Sequence, residues 1–358
     1  MSTPAPQTIN EGKLHEFVMK AVGEMGAAMN AALIVIGDQL GLYKAMAGAG
    51  PLTSMEVAAK TETNERYVRE WLAAQAAGGF VTYDSASGRY TLPPEQALAL
   101  ADENSPVFLP GFFQIVESCV KDVPKIAAAF RSGKGVGWHE HDHGLFPGAE
   151  RFFRPNYRAH LVREWIPALD GVESRLRSGA KVADVGCGLG TSTILLAQAY
   201  PKSKFSGFDY HPQSIAMARD AAAKAGVSDR VTFEVSKSKN YPGTGYDFVA
   251  FFDCLHDMGD PEGAARHVLQ TLGSGGVWML VEPFANDRLE DNLNPVGRVY
   301  YAVSTMVCTP ASLAQEVGLG LGAQAGEGRL ANVLRAAGFT RVRRAAETPF
   351  NIVLEARP

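Results

Sequence analysis

From Lys181 onward, short apolar runs alternate with stretches of helix length, and this pattern limits the fold more than any other feature. KVADV, SKFSGFD, VTFEV, YDFVAFFD and VWMLVEP read as successive strands, with helices near 192–200, 212–225 and 261–272 between them. That alternation predicts an α/β unit, a parallel sheet covered by helices on both faces. The last two runs, TRVRRAAE and FNIVLEAR, are joined by a Thr-Pro turn. They predict an antiparallel C-terminal hairpin at the sheet edge.

The first strand runs into Asp184-Val185-Gly186-Cys187-Gly188-Leu189-Gly190-Thr191. Glycines at a strand-to-helix turn let a ligand approach the backbone. A dinucleotide fingerprint spaces its glycines as Gly-x-Gly-x-x-Gly. Here the third glycine, Gly190, comes one residue early, and Asp184 stands ahead of the first. An acid there suits an ammonium group better than a pyrophosphate. The second strand ends in Asp209, 19 residues after Gly190, where a carboxylate can accept from a ribose diol. A nucleoside with a cationic tail and no phosphates is S-adenosylmethionine.

VADVGCGLGTST, GFDYHPQSI, YDFVAFFDCLHDMGDP and GGVWMLVEP resemble successive motifs of the Rossmann-like S-adenosylmethionine-dependent methyltransferases. The resemblance covers about residues 180–358 and implies a seven-stranded, mostly parallel sheet. It implies that Gly186, Cys187, Gly188 and Gly190 line the methionine and ribose. Asp184 would lie near the amino group, Asp209 on the ribose hydroxyls and Tyr210 beside the adenine. Where the family often carries an acid for the adenine amino group, this chain has Ser236-Lys237-Ser238. Lys237 and Ser238 become the candidates there, and Asp253 either contacts cofactor or caps its strand.

Ligands of open α/β sheets lie beyond the carboxyl ends of the strands, which puts Asp253–Met258 near the transferred methyl. Methyl transfer to a hydroxyl also removes a proton, a task that suits histidine. His256-Asp257 resembles the Cys-His-Asp-Trp segment of plant-type small-molecule O-methyltransferases. The resemblance implies that His256 is a general base beside Asp257, oriented by Glu282. Met258 departs from the family's tryptophan, and a second family glutamate falls near Gln324 or Glu327. Histidine contacting substrate without taking a proton, and N- or C-methylation, remain alternatives. Asp260 and Pro261 are explained by starting the next helix.

The N-terminal half reads differently. Apolar residues recur at three- and four-residue steps from about Glu11 to Ala47, and Ala31–Ile36 is apolar all round. A helix of that kind needs cover, from a second subunit or from its own chain. A Thr53–Glu56 capping box, a helix capped by Asn64 and two short strands around Asp84-Ser-Ala-Ser-Gly88 make a winged helix. Its second helix balances Arg66 and Arg69 with Glu65 and Glu70. With a net charge of −4, the chain offers little to phosphate backbones. We expect a winged-helix dimerisation domain (11–94), a helical linker and substrate lid (95–178) and a Rossmann-like catalytic domain (179–358).

The linker contains RSGKGVGWHEHDHGLFPG and FFRPNYRAH. Trp138, His139, His141, Phe153 and Tyr157 are the candidates for a substrate lining. Arg298 and Tyr301, from the insertion after the fifth strand, join them. His139, His141 and His143 at period two also suit a metal, but zinc ligands usually come from separated segments; metal, lid and plain surface loop stay open. The four cysteines lie far apart, as expected in a reducing cytoplasm. No unbroken apolar run approaches the roughly 20 residues of a membrane span. The expected protein is a cytoplasmic homodimer acting on a small molecule. A winged-helix regulator that senses S-adenosylmethionine is the second class of reading.

Overall fold

A computed structural model describes residues 9–358. The chain separates into two compact units, Met1–Glu117 and Ser118–Pro358.

In the first unit, helix α1 (Glu11–Gln39) is capped by Asn10 and followed by the short α2 (Leu42–Met46). Then come α3 (Ser54–Thr61), α4 (Glu65–Ala77), strands β1 (Thr82–Asp84) and β2 (Arg89–Thr91), and α5 (Pro94–Leu100). The Thr53–Glu56 capping box forms in both directions and starts α3. β1 and β2 pair antiparallel as the wing. Tyr43, Trp71 and Leu72 are among the buried side chains of this unit's core.

Helix α1 has a property that run length alone does not reveal. No unbroken apolar run is long, yet averaged over 18 residues the helix has a mean hydropathy of 1.3, enough by length and composition to cross a membrane. Only 17% of that window is buried. Phe17, Met25 and Met29 are more than half exposed.

The second unit begins within α6 (Pro110–Ser132), followed by α7 (Leu145–His160) and α8 (Val172–Ser178). The sheet region runs β3 (Lys181–Val185), α9 (Thr191–Ala199), β4 (Lys204–Asp209), α10 (Pro212–Lys224), β5 (Val231–Val235), β6 (Tyr246–Phe252), α11 (Pro261–Thr271) and β7 (Leu272–Pro283). After β7 come α12 (Pro295–Val303), α13 (Thr309–Leu313), α14 (Gly326–Ala336), β8 (Arg341–Glu347) and β9 (Asn351–Arg357). The seven strands take the order β5-β4-β3-β6-β7-β9-β8. β9 pairs antiparallel with β7 and β8, and the other pairs are parallel.

Two cores form, each drawing side chains from the strands and from the helices packed on them. One contains Trp165, Phe205 and Met279, the other Phe251, Trp278 and Leu334. The order of strands runs outward one way from β3 and the other way from β6. A crevice therefore opens at the carboxyl ends of these two neighbours, the usual ligand site of such sheets.

Candidate active site

The glycine loop follows β3 at this crevice. Gly186 and Gly188 have φ values of 75° and 51°. A Cβ on Gly186 would lie 2.7 Å from Cys254 Sγ, so the loop is pressed against the end of β6. A Cβ on Gly188 would meet nothing within 4 Å, because it would project into open space. Exchange of Gly188 for Asn, which tolerates positive φ, is expected to crowd that space and weaken cofactor binding, measured by calorimetry, with circular dichroism unchanged.

Gly190 serves packing instead. Its φ is 81° and a Cβ would lie 2.6 Å from the Phe233 ring. It does not line the cavity, contrary to expectation. Asp184 is also corrected. It is 1% exposed, off the cavity, and its Oδ2 accepts from Ser192 and Thr193 hydroxyls at 2.6 Å each. Burial pushes its carboxyl up to about 6. The strand turns this side chain inward, where it holds the first turn of α9.

A cavity of about 690 Å³ is bounded by this loop, the ends of β4 and β6, α7 and the segment before it. Gly186, Cys187, Gly188, Asp209, Tyr210, Lys237, Ser238 and Asp253 all line it. Asp209 accepts from the Gly188 and His211 backbone N–H groups at 3.0 and 2.9 Å. Each oxygen keeps a lone pair for a diol. Trp138, His139, Phe153 and Tyr157 line the cavity as well.

His141, Arg298 and Tyr301 do not. His141 is buried with Nδ1 2.9 Å from Asp122 Oδ2. Asp122 also accepts from the Asp142 N–H at 2.8 Å and from Lys125 at 2.7 Å. This acid on α6 anchors the histidine-rich segment and separates the role of His141 from that of His139. The insertion after β7 presents Ala314, Gln315 and Glu316 to the cavity instead. Gln315 Nε2 donates to the Asp257 carbonyl at 2.8 Å and so supports the loop after β6.

That loop gathers His256, Asp257 and Glu282. Glu282 Oε2 lies 2.5 Å from His256 Nδ1, and Oε1 accepts the Leu255 N–H at 2.9 Å. His256 Nε2 is 3.1 Å from Asp257 Oδ1, and Asp257 Oδ2 accepts the Trp138 indole N–H at 2.8 Å. His256 is 3% exposed and sits behind Asp257, which lines the cavity. Burial disfavours the imidazolium, but the Asp257 and Glu282 carboxylates outweigh it and hold the His256 pKa well above the ordinary value. Two contacts here had no sequence signal. Trp138 bonds Asp257 across 119 positions, and Cys308 brings its thiol within 4.8 Å of the His256 and Asp257 ligand atoms. Burial pushes that thiol up to about 12, so it keeps its proton. Glu327 is paired with Arg344.

Fold and site together define a methyltransferase domain behind a winged helix. Residues 176–338 match the family model described as a methyltransferase domain, and residues 28–102 match the Rv2258c-like winged HTH domain. The chain thus combines a Rossmann-like S-adenosylmethionine-dependent methyltransferase domain with an N-terminal winged-helix domain. Among curated relatives, it is 30% identical to ajmaline N-methyltransferase of Rauvolfia serpentina over 43% of this chain and 56% of that one. It is 34% identical to 27-O-demethylrifamycin SV methyltransferase of Amycolatopsis mediterranei over 28% of this chain and 38% of that one. The chain thus spans about half the length of these relatives or less. The fold extends along whole chains of known structure. Mitomycin 7-O-methyltransferase superposes with a TM-score of 0.70 at 18% identity, covering 98% of this chain and 100% of that one. Human N-acetylserotonin methyltransferase, in complex with its cofactor, gives 0.68 at 16% identity, covering 99% of each.

Proposed function

We propose that the protein transfers the methyl group of S-adenosylmethionine to a hydroxyl of a small molecule. One observation carries this reading: a single cavity borders the open glycine Gly188, the diol-ready Asp209 and the carboxylate that guards His256. The cofactor supplies an activated methyl on a sulfonium. Asp209 takes the ribose, Gly186 to Gly188 the methionine end, and Tyr210, Lys237 and Ser238 the adenine end. Trp138, His139, Phe153 and Tyr157 hold the acceptor.

His256 is the general base in this proposal, and Glu282 is its positioning residue. Glu282 fixes Nδ1 and leaves Nε2 directed at Asp257. Transfer requires Asp257 to give up its place at Nε2 to the acceptor hydroxyl. The proton then passes to His256 as the oxygen attacks. Mitomycin 7-O-methyltransferase, among proteins of the same fold, is named for methylation of oxygen.

Titration calorimetry with S-adenosylmethionine tests the cofactor. Absence of binding by the intact protein overturns the whole reading. Asp209→Ala is expected to weaken binding by about tenfold or more, the loss of charge-assisted hydrogen bonds to the ribose.

The proposed assembly is a cytoplasmic homodimer in which a second copy covers the exposed Phe17, Met25 and Met29 of α1. Exposed apolar surface of this extent marks an association site. Replacing these three by Asp is expected to yield a monomer in sedimentation. A wild-type protein that sediments as a monomer, or that needs detergent, contradicts the dimer. Arg66 pairs with Glu70 at 2.6 Å and Arg69 with Glu65 at 2.5 Å, which neutralises the second winged-helix helix and argues against DNA as a partner.

A further inference from the structure

Asp253 is the first residue after β6, and its backbone is unusual. Its φ is 49°, one of three positive values on non-glycine residues among those described. Such a conformation is unfavourable for a residue with a side chain and clusters at functional sites. Its N–H bonds the Val281 carbonyl at 2.8 Å, which holds the strain in place. The carboxylate is fixed at both oxygens. The Tyr157 hydroxyl donates to Oδ2 and Asn351 Nδ2 to Oδ1, each at 2.7 Å. Asn351 is itself buried and accepts from Asn156 at 2.6 Å. Three separated segments of the second unit, on α7, β6 and β9, converge to aim one acid into the cavity.

The acid also sits at a definite end of the proposed ligand. Asp209 marks the ribose at the end of β4. The next residue after Asp253, Cys254, packs on Gly186, the first glycine of the loop. The path from ribose through sulfur to methionine therefore leads past the end of β6. Asp184, the acid expected to meet the cationic tail, is buried off the cavity with its Oδ2 taken by Ser192 and Thr193.

We propose that Asp253 senses the positive charge of the sulfonium, so that the protein binds the methyl donor in preference to the neutral thioether left after transfer. This rests on the reading of the cavity as an S-adenosylmethionine site. Donor and product share their adenosine, ammonium and carboxylate groups and differ in the methyl and the charge on sulfur. A fixed carboxylate at that point adds affinity for one of them. Tyr157 and Asn351 keep it from turning to another partner.

The preference should depend on pH. Burial raises the Asp253 carboxyl to about 7; the Tyr157 hydroxyl opposes this, Glu282 adds to it, and His256 and Asn351 oppose it. Cys254 on its own loop and Tyr300 from α12 are the further titratable neighbours. An acid with a raised pKa is neutral below that value and charged above it. Preference for the cationic donor is therefore expected to grow as pH rises through about 7.

The experiment is calorimetric titration of the full chain with S-adenosylmethionine and, separately, S-adenosylhomocysteine, at pH values on either side of neutrality. Asp253→Asn removes the charge and retains the shape, and asparagine tolerates positive φ. The expected result is about a tenfold or larger loss in donor affinity, with thioether affinity preserved. Equal loss for both ligands, or loss for neither, overturns the proposal. Failure of the wild type to bind either ligand instead removes the cofactor reading beneath it. If Asp253→Asn does not fold, Tyr157→Phe decides. Losing the hydroxyl raises the Asp253 pKa, so the pH at which the donor preference appears must move upward. An unmoved transition overturns the proposal.

Discussion

His256→Gln is expected to lower kcat by about 10²- to 10⁴-fold, the usual contribution of a positioned base, while the affinity for S-adenosylmethionine stays unchanged. Glutamine retains a polar group toward Glu282 but accepts no proton at neutral pH. The pH profile gives a second readout. His256 must be neutral to act, and its neighbours hold its pKa well above the ordinary value. Turnover should therefore rise with pH through that raised value. Asp257→Asn removes one of the two carboxylates that stabilise the imidazolium, so the rising limb moves to lower pH. A His256→Gln protein with wild-type kcat on its true acceptor would end the base assignment. A limb that does not move in Asp257→Asn would detach it from this histidine.

Trp278→Ala is expected to destabilise the second unit by about 3–5 kcal/mol, the range for deleting a buried aromatic ring. Trp278 is 0% exposed on β7 and packs edge-on to Phe251 at 4.9 Å between centroids, with Phe339 at 5.2 Å. Its indole N–H is buried without a hydrogen-bond partner. Trp278→Phe removes that unpaired donor along with part of the ring, so its cost should be much smaller. The urea midpoint of the second unit measures both. Equal losses for the two variants would contradict this account of what the ring contributes.

The sheet was legible because its information is local. Each strand announces itself by an apolar run, and the reversed end by two adjacent runs about a Thr-Pro turn. The glycine loop, Asp209 and the His256–Glu282 pair were legible for a related reason: each follows a strand, and strand ends converge in this fold. Where side chains leave the strand register, sequence reasoning failed. Asp184 and Gly190 lie in the expected loop, but one faces α9 and the other Phe233. His139 and His141 differ by two positions, yet Asp122 on another helix takes only the second. Arg298 and Tyr301 lie in an insertion of the expected composition, but its path brings Gln315 to the cavity. These outcomes depend on contacts between residues far apart in sequence, which no local pattern records.

The bond from Trp138 to Asp257 also gives the molecule an optical property. The chain has four tryptophans. Trp71, Trp165 and Trp278 are at most 5% exposed and sit in cores. Trp138 lines the cavity with its indole hydrogen-bonded to a carboxylate. Emission from this one ring should respond when the acceptor displaces Asp257, while the other three provide a steady background. Subtracting the spectrum of Trp138→Phe would isolate that signal and let acceptor binding be followed in time without a label.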